Sequence, residues 1–321
     1  MNSKIKNILK TIIPLLLGIF LIWYSYNSAT PAERAELILN IKKADPFWVI
    51  LSLVLGTLAH LSRAYRWKFM LEPLGYKPKL RNSFMAVMAG YLANLGIPRS
   101  GEFLRAATLK TYEEIPVEKG FGTIISERLA DLVILMAIIS LAVILQTDHV
   151  LSYFSENDIN PIFTIGIFVV LVILGTITLI LIKKSKLPIL RKIKNFAKGI
   201  LEGMRSILNM RQKWAFIFHT LFIWTMYVMM FYVATFAIPE TSEVGFSAIL
   251  AAFVVGSFAI SVTNGGIGVY PIAIGGVLTL FSISKQGGEA FGWVVWASQT
   301  LLNLVLGGLS FIFLPILNRR K

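Results

Sequence analysis

Long apolar blocks dominate this chain. Six of them, at 8–26, 46–66, 121–146, 161–182, 214–237 and 289–314, approach the ~20 residues that an α-helix needs to cross a bilayer. Two further apolar regions are broken near the middle. The first, 82–116, is interrupted at Leu95-Gly96-Ile97-Pro98-Arg99-Ser100-Gly101-Glu102, and the second, 245–282, at Asn264-Gly265-Gly266-Ile267-Gly268-Val269-Tyr270-Pro271. The pattern predicts an all-α polytopic membrane protein.

The distribution of charge decides what the broken regions do. Ten basic residues lie in 183–213 and none in 147–160, so the positive-inside bias places the first loop in the cytoplasm and the second outside. Segment 121–146 then runs outward. Lys68, Lys77, Lys79 and Arg81 mark 67–81 as cytoplasmic, so both ends of 82–116 lie inside. Arg319, Arg320 and Lys321 place the C-terminus inside as well, which leaves both ends of 245–282 outside. The expectation is about six full transmembrane helices plus two opposed re-entrant helical hairpins, with both termini cytoplasmic. A full span over 82–96 would give only about 22 Å of helix against a ~30 Å hydrocarbon core. Opposed broken helices that meet near the midplane are a recurring device of transporters.

Composition narrows the class. With 56% hydrophobic and 15% charged residues, the chain is too poor in charge to cover a soluble globule. The net charge of +14 is explained by cytoplasmic loops, so no nucleic-acid partner is expected. No cysteine is present, which removes disulfides and thiolate chemistry. The apolar run after Lys4, Lys6 and Lys10 has no convincing small-residue cleavage site and reads as a retained first span.

Four polar clusters interrupt the apolar pattern. Arg63 and Trp67 share a helix face at i,i+4, with Arg66 beside them. They read either as snorkelling arginines with an interfacial aromatic or as a bidentate grip on a lipid phosphate. Asn94, Pro98, Arg99, Gly101, Glu102 and Arg105 form the second cluster, in which Pro98 and Gly101 predict a tight turn and Glu102 and Arg105 an i,i+3 ion pair. Net positive charge there suits a phosphate-bearing headgroup, and an ion-paired turn is the structural alternative.

Glu127, Arg128 and Asp131 form the third cluster, just inside the cytoplasmic third of its span. Its acids are positioned to neutralise arginines of the preceding cluster, as a functional network or as a structural clamp. The fourth is Asn264, Gly265, Gly266 and Gly268 before Pro271, a costly break that exposes backbone groups to a cavity. Gln299 and Asn303, at i,i+4, face the same cavity or glue helices together. Neither a metal-ligand cluster, a Ser/His/Asp set nor a phosphate-binding loop is visible, so no catalytic residue, metal or cofactor is expected.

Taken in order, Arg63-x-x-Arg66-Trp67, Asn94…Pro98-Arg99-x-Gly101-Glu102-x-x-Arg105, Glu127-Arg128-x-x-Asp131 and Gly265-Gly266-Ile267-Gly268 with Pro271 resemble the lysylphosphatidylglycerol synthase transmembrane-domain family, also called flippase-like domain proteins. The resemblance covers nearly the whole chain and implies a single flippase-like transmembrane domain over 1–321. It implies lipid transport between the leaflets of the cell inner (cytoplasmic) membrane. The substrate-binding residues would be Arg63, Arg66, Asn94, Arg99, Glu102, Arg105, Glu127, Arg128, Asp131, Asn264, Gly265, Gly266 and Gly268. Because the sequence stops directly after its last span, a stand-alone member without the soluble synthase domain is expected, and lysyl transfer is not assigned. The expected partners are a phospholipid or lipid-linked substrate, a separate lipid-modifying enzyme and a second copy of the chain. The alternative is a non-transporting membrane partner of, or a transferase in, glycolipid or polyprenyl-phosphate sugar metabolism.

Overall fold

The computed structural model describes residues 26–97, 99–147, 210–263 and 265–319, with scattered positions between 16 and 24. The predicted span 161–182, most of the first span, all of the loop 147–160 but its first residue, nearly all of 183–213, and Pro98 and Asn264 lie outside the described residues. Among the described residues the chain forms nine α-helices with both ends described, the first five and the last four each joined in sequence by short connections, with no strand. They are α1 (Pro31–Lys42), α2 (Pro46–Leu71), α3 (Leu80–Gly96), α4 (Ser100–Glu113), α5 (Val117–Leu145), α6 (Lys213–Ala234), α7 (Phe246–Val262), α8 (Val269–Thr279) and α9 (Lys285–Leu317).

Four of these, α2, α5, α6 with its short 3₁₀ extension, and α9, are long and apolar enough to cross a membrane. They correspond to the predicted spans 46–66, 121–146, 214–237 and 289–314, each extended or trimmed by a few residues. Asp45 starts α2 one residue before Pro46, its Oδ1 accepting the Phe47 N–H at 2.8 Å. At 33 residues α9 is about 50 Å long and is the spine of the molecule.

Both broken regions are helical hairpins. In the first, α3 and α4 run antiparallel. Near the open end Asn82 Nδ2 donates to Glu113 Oε1 at 2.5 Å, and near the tip the Gly101 N–H donates to Asn94 Oδ1 at 2.7 Å. The turn differs from the sequence expectation. The left-handed residue is Arg99 (φ 63°), whereas Gly101 is already helical. Gly101 is needed for close approach, because a Cβ there would collide with the Gly90 carbonyl on α3. In the second hairpin α7 and α8 join through Gly265, Gly266 and Gly268, with φ of 67°, 83° and 71°, values that L side chains rarely adopt.

The hairpins enter from opposite poles. At one pole Asn82 and Asn318 exchange side-chain hydrogen bonds of 2.9 Å, and Arg81 Nη2 donates to the Leu317 carbonyl at 3.2 Å, so the first hairpin opens beside the end of α9. At the other pole Asp45 N–H donates to the Ala237 carbonyl at 2.9 Å, and Glu240 accepts from Asn40 and Ser284. That pole gathers α1 with the start of α2, the end of α6 and the start of α9. The two tips meet beside the middle of α9, where Gly265 lies against Leu95 and its carbonyl accepts from Trp296 Nε1 at 2.7 Å.

Helix α1 has no counterpart among the predicted elements. It is a short helix started by a capping box, in which Thr30 Oγ1 accepts the Glu33 N–H at 3.3 Å and Glu33 accepts the Thr30 N–H at 2.7 Å. Packing between helices relies on small residues, as expected where lipid is as apolar as the side chains. Gly275 of α8 meets Gly288 of α9, and Gly307 of α9 meets the Met88 carbonyl and Leu92 of α3.

Candidate functional site

Three helices bring five ionised side chains together at the centre of the half nearer the Asn82–Asn318 pole. Helix α2 supplies Arg63 and Arg66 at i,i+3, and α5 supplies Glu127 and Asp131 at i,i+4, so each pair projects from one face. The two helices are held in register by Trp67 Nε1, which donates to Thr123 Oγ1 at 2.8 Å. Helix α4 adds Arg105, one turn beyond the Gly90–Gly101 contact.

The pairing is dense. Arg63 Nη1 reaches Glu127 Oε1 at 2.5 Å and Asp131 Oδ2 at 2.8 Å. Arg66 Nη1 donates to Asp131 Oδ1 at 2.9 Å and to Thr220 Oγ1 of α6 at 2.8 Å, while its Nη2 lies 3.2 Å from Glu127 Oε1. Arg105 Nη2 donates to Glu127 Oε2 at 3.0 Å. The guanidinium of Arg105 stacks over the Trp67 ring at 4.4 Å, and that of Arg66 lies 5.2 Å from the Phe216 ring. All five ionised residues are at most 5% exposed. Snorkelling at the interface is therefore not what Arg63 and Arg66 do.

The charge does not balance. Three guanidiniums face two carboxylates, and the Nε donors of Arg63, Arg66 and Arg105 are all buried without a hydrogen-bond partner among the described residues. Burying an ion is costly unless its partners satisfy it, so an excess cation with vacant donors marks a place where one more anion is favourable. Both carboxylates of Glu127 and Asp131 are already committed to arginines.

Around this nucleus the remaining candidates fall at two levels. Arg128 and Glu102 form a half-exposed pair at its edge, 3.5 Å apart, with Arg128 Nη1 3.8 Å from Asp131. The i,i+3 pair expected between Glu102 and Arg105 is not made. Arg105 turns inward to Glu127 of α5 and Glu102 takes Arg128, because the helix pairing of α4 with α5 offers each a closer partner. Arg99 stands exposed at the hairpin tip and has no hydrogen-bond or ion-pair partner among the described residues. Asn94 is used as a clasp across the hairpin, its amide oxygen filled by Gly101. Gly265 lies against Leu95 of this tip from the opposing hairpin, Gly266 packs instead among Ile260, Tyr270 and Trp296, Gly268 continues the same turn, and Asn264 lies outside the described residues.

One part of the site escaped the sequence reading. His60, buried one turn before Arg63, packs 4.7 Å from the Tyr91 ring, and the Tyr227 hydroxyl lies 3.4 Å from both His60 Nδ1 and the Tyr91 hydroxyl. With Gly56, Ser52 and Gln299 it extends a polar stripe along α2 away from the arginines, Ser52 and Gln299 being 3.4 Å apart. The available signal was the spacing 52, 56, 60, 63 on one helix, which places small and polar residues on a single face.

Two curated proteins are similar to part of this chain. A segment of 104 residues is 34% identical to the UPF0104 membrane protein MJ1595 of Methanocaldococcus jannaschii, covering 32% of this chain and 31% of the relative. A segment of 101 residues is 31% identical to the protein named glycosyltransferase AglD of Haloferax volcanii, covering 31% of this chain and 16% of that relative. The matched segments thus span less than a third of either relative's length. No solved structure matches the chain. The family described as lysylphosphatidylglycerol synthase TM region matches residues 11–307, nearly the whole sequence, including both hairpins and every residue of the charged nucleus. This multi-pass membrane protein therefore belongs to the lysylphosphatidylglycerol synthase TM region family.

Proposed function

We propose that the chain translocates a phosphate-bearing lipid between the leaflets of the cytoplasmic membrane, with both termini on the cytoplasmic side and without itself catalysing group transfer. The observation that carries this reading is the buried nucleus of three arginines and two carboxylates, with its excess positive charge and three vacant Nε donors. A charged headgroup at the bilayer centre is costly in hydrocarbon, and a polar cavity with a prepared cation lowers that cost.

On this reading Arg99 and Arg128, the two more accessible cations, receive the headgroup phosphate first. The phosphate then competes with Glu127 for Arg105 and with Asp131 for Arg66, since guanidinium binds either anion through paired N–H donors. The opposed tips, one carrying Arg99 and the other an unwound glycine backbone, line the passage, and the acyl chains stay in lipid. A lipid-modifying enzyme elsewhere in the cell and a second copy of the chain are proposed partners.

The family description supports a phospholipid as cargo. The similarity to a protein named as a glycosyltransferase favours a second reading, in which the cargo is a lipid-linked sugar or the chain assists a glycolipid enzyme. The test is a leaflet-accessibility assay on purified protein in liposomes carrying fluorescent phospholipids, with dithionite bleaching of the outer leaflet. Wild type is expected to bleach past the one-leaflet plateau, and folded Arg99→Ala and Gly266→Leu to stop at it. If wild type itself stops at the plateau for anionic, zwitterionic and aminoacylated lipids, phospholipid translocation is wrong and the lipid-linked-sugar reading takes its place.

A further inference from the structure

From Ser52 to Arg63, about 16 Å along α2, the face that packs against α3, α6 and α9 is polar, and no ion stands on it before Arg63. His60 is 6% exposed, and the one group its ring bonds among the described residues is the Tyr227 hydroxyl, at a long 3.4 Å from Nδ1. That hydroxyl is equally far from the Tyr91 hydroxyl, so three polar groups share two weak contacts. Gln299 reaches Ser52 only at 3.4 Å, across the space that Gly56 leaves beside it. Asn303 stands one turn further along α9, between Gln299, which lies on Gly56, and Gly307, which lies on Leu92. Its Oδ1 is buried without a hydrogen-bond partner among the described residues.

Buried polar groups are normally well bonded, because leaving them unpaired is costly. Here two hydroxyls, an imidazole and an amide are gathered and loosely bonded, and the half-buried Tyr91 and Tyr227 leave the stripe reachable. Uncharged groups that both donate and accept match other hydroxyls. The stripe also ends on the excess positive charge, since the Arg63 guanidinium lies 5.9 Å from the Tyr227 ring.

What an amine would need is missing. Helices α2, α3 and α6 contain neither Asp nor Glu, and the only carboxylate of α9, Glu289, lies at the far pole beside Lys285. Glu127 and Asp131 are spent on arginines, and Glu102 is paired with Arg128. An ammonium brought to the stripe would face guanidiniums and no uncommitted anion among the described residues.

We propose that this stripe reads the headgroup beyond its phosphate, and selects an anionic lipid whose phosphate carries a polyol over one that carries an amine. With the phosphate on the arginines, the polyol lies toward His60 and exchanges hydrogen bonds with Tyr91, Tyr227 and Asn303. The assignment deepens the translocation reading and rests on it for the purpose of the site, but its own content is which headgroup is held.

The test is native mass spectrometry of the full chain with lipids of matched acyl chains at equal concentration. Phosphatidylglycerol and phosphatidylinositol carry hydroxyls, phosphatidylethanol has the same charge and none, and phosphatidylethanolamine and lysyl-phosphatidylglycerol carry amines. Adducts of the two hydroxyl-bearing lipids are expected to exceed those of phosphatidylethanol about three- to tenfold, the worth of one or two hydrogen bonds. They are expected to exceed the amine-bearing lipids more than about tenfold. Combining Tyr227→Phe with Asn303→Leu brings the ratio of phosphatidylglycerol to phosphatidylethanol toward one.

Equal retention of phosphatidylglycerol and phosphatidylethanol by wild type would overturn the proposal, and so would lysyl-phosphatidylglycerol bound as well as phosphatidylglycerol. These comparisons use wild type, so they hold even if the double variant fails to fold. A glycosylated polyprenyl phosphate run beside phosphatidylinositol identifies the source of the polyol: whichever is retained more strongly, a lipid-linked sugar or a glycerophospholipid, is the class the stripe serves. Selective binding without leaflet transfer in the dithionite assay removes translocation and leaves this assignment standing. Transfer without headgroup selectivity removes this assignment alone.

Discussion

Leu95 and Gly265 touch where the two hairpins end, so close that a Cβ on residue 265 would stand 3.3 Å from Leu95 Cδ2. They lie 170 positions apart in sequence and belong to hairpins that enter from opposite poles. The left-handed backbone at Gly265 makes an L side chain there unfavourable by about 1–2 kcal/mol before any collision is counted. Gly265→Ala is therefore expected to lower the thermal midpoint of the purified protein, and Leu95→Ala, which removes the steric part, to recover some but not all of the loss. Differential scanning fluorimetry in detergent on the two single variants and the double reads this directly.

The charged nucleus predicts a sign as well as a size. Glu127→Gln takes away Arg105's carboxylate and leaves Arg63 and Arg66 to share Asp131, and is expected to destabilise by about 3–5 kcal/mol, whereas adding Arg105→Gln returns the excess to one positive charge and costs less than Glu127→Gln alone. A thermodynamic cycle of unfolding midpoints over these four proteins gives the coupling. Additive effects would mean that Arg105 and Glu127 do not share the burden that their 3.0 Å contact implies.

Arg128 offers a variant in which transport and stability separate. Its bond to Glu102 is long, 3.5 Å, and 41% of the Arg128 side chain is exposed, so Arg128→Gln is expected to move stability by less than about 1 kcal/mol. If Arg128 receives the headgroup, the same change lowers the dithionite-accessible fraction at unchanged protein abundance. A fall in transport that merely tracks abundance assigns Arg128 a structural role.

Two glycines on adjacent helices form an internal control. Gly101→Ala drives a methyl group into the Gly90 carbonyl and should open the first hairpin, while Gly122→Ala on α5 meets nothing within 4 Å and should be neutral or stabilising by about 0.5–1 kcal/mol. Limited proteolysis of the 96–100 turn, compared between the two variants, tests the difference.

Much of this architecture was legible in the residues, for specific reasons. The hairpin breaks were visible because glycine and proline interrupt apolar runs, and the opposite entry of the hairpins followed from the distribution of lysine and arginine. Choice of partner was not legible. Arg63 and Glu127 meet from 64 positions apart, and the local spacing of Glu102 and Arg105 suggested a pair that tertiary packing replaces with two others. Gly101 was read correctly as a turn-region residue and for the wrong reason, since the contact that requires it lies on the neighbouring helix. Helix α1 went unseen although Thr30-Pro31-Ala32-Glu33 is a capping-box sequence, because its apolar content is too low to stand out beside the spans.

The two hairpins are not held alike. Arg105 and Asn82 fasten the first one to α5 and to the end of α9 through charged and polar bonds. The second rests on α9 chiefly through close packing, Gly275 on Gly288 and Gly292 on Pro271, with Trp296 bonded to its tip. Sliding smooth glycine faces past one another sacrifices little, whereas withdrawing a guanidinium from buried carboxylates sacrifices a great deal. The fold thus has a stiff jaw and a compliant one, and rearrangements at the midline are cheapest when the glycine-tipped jaw does the moving.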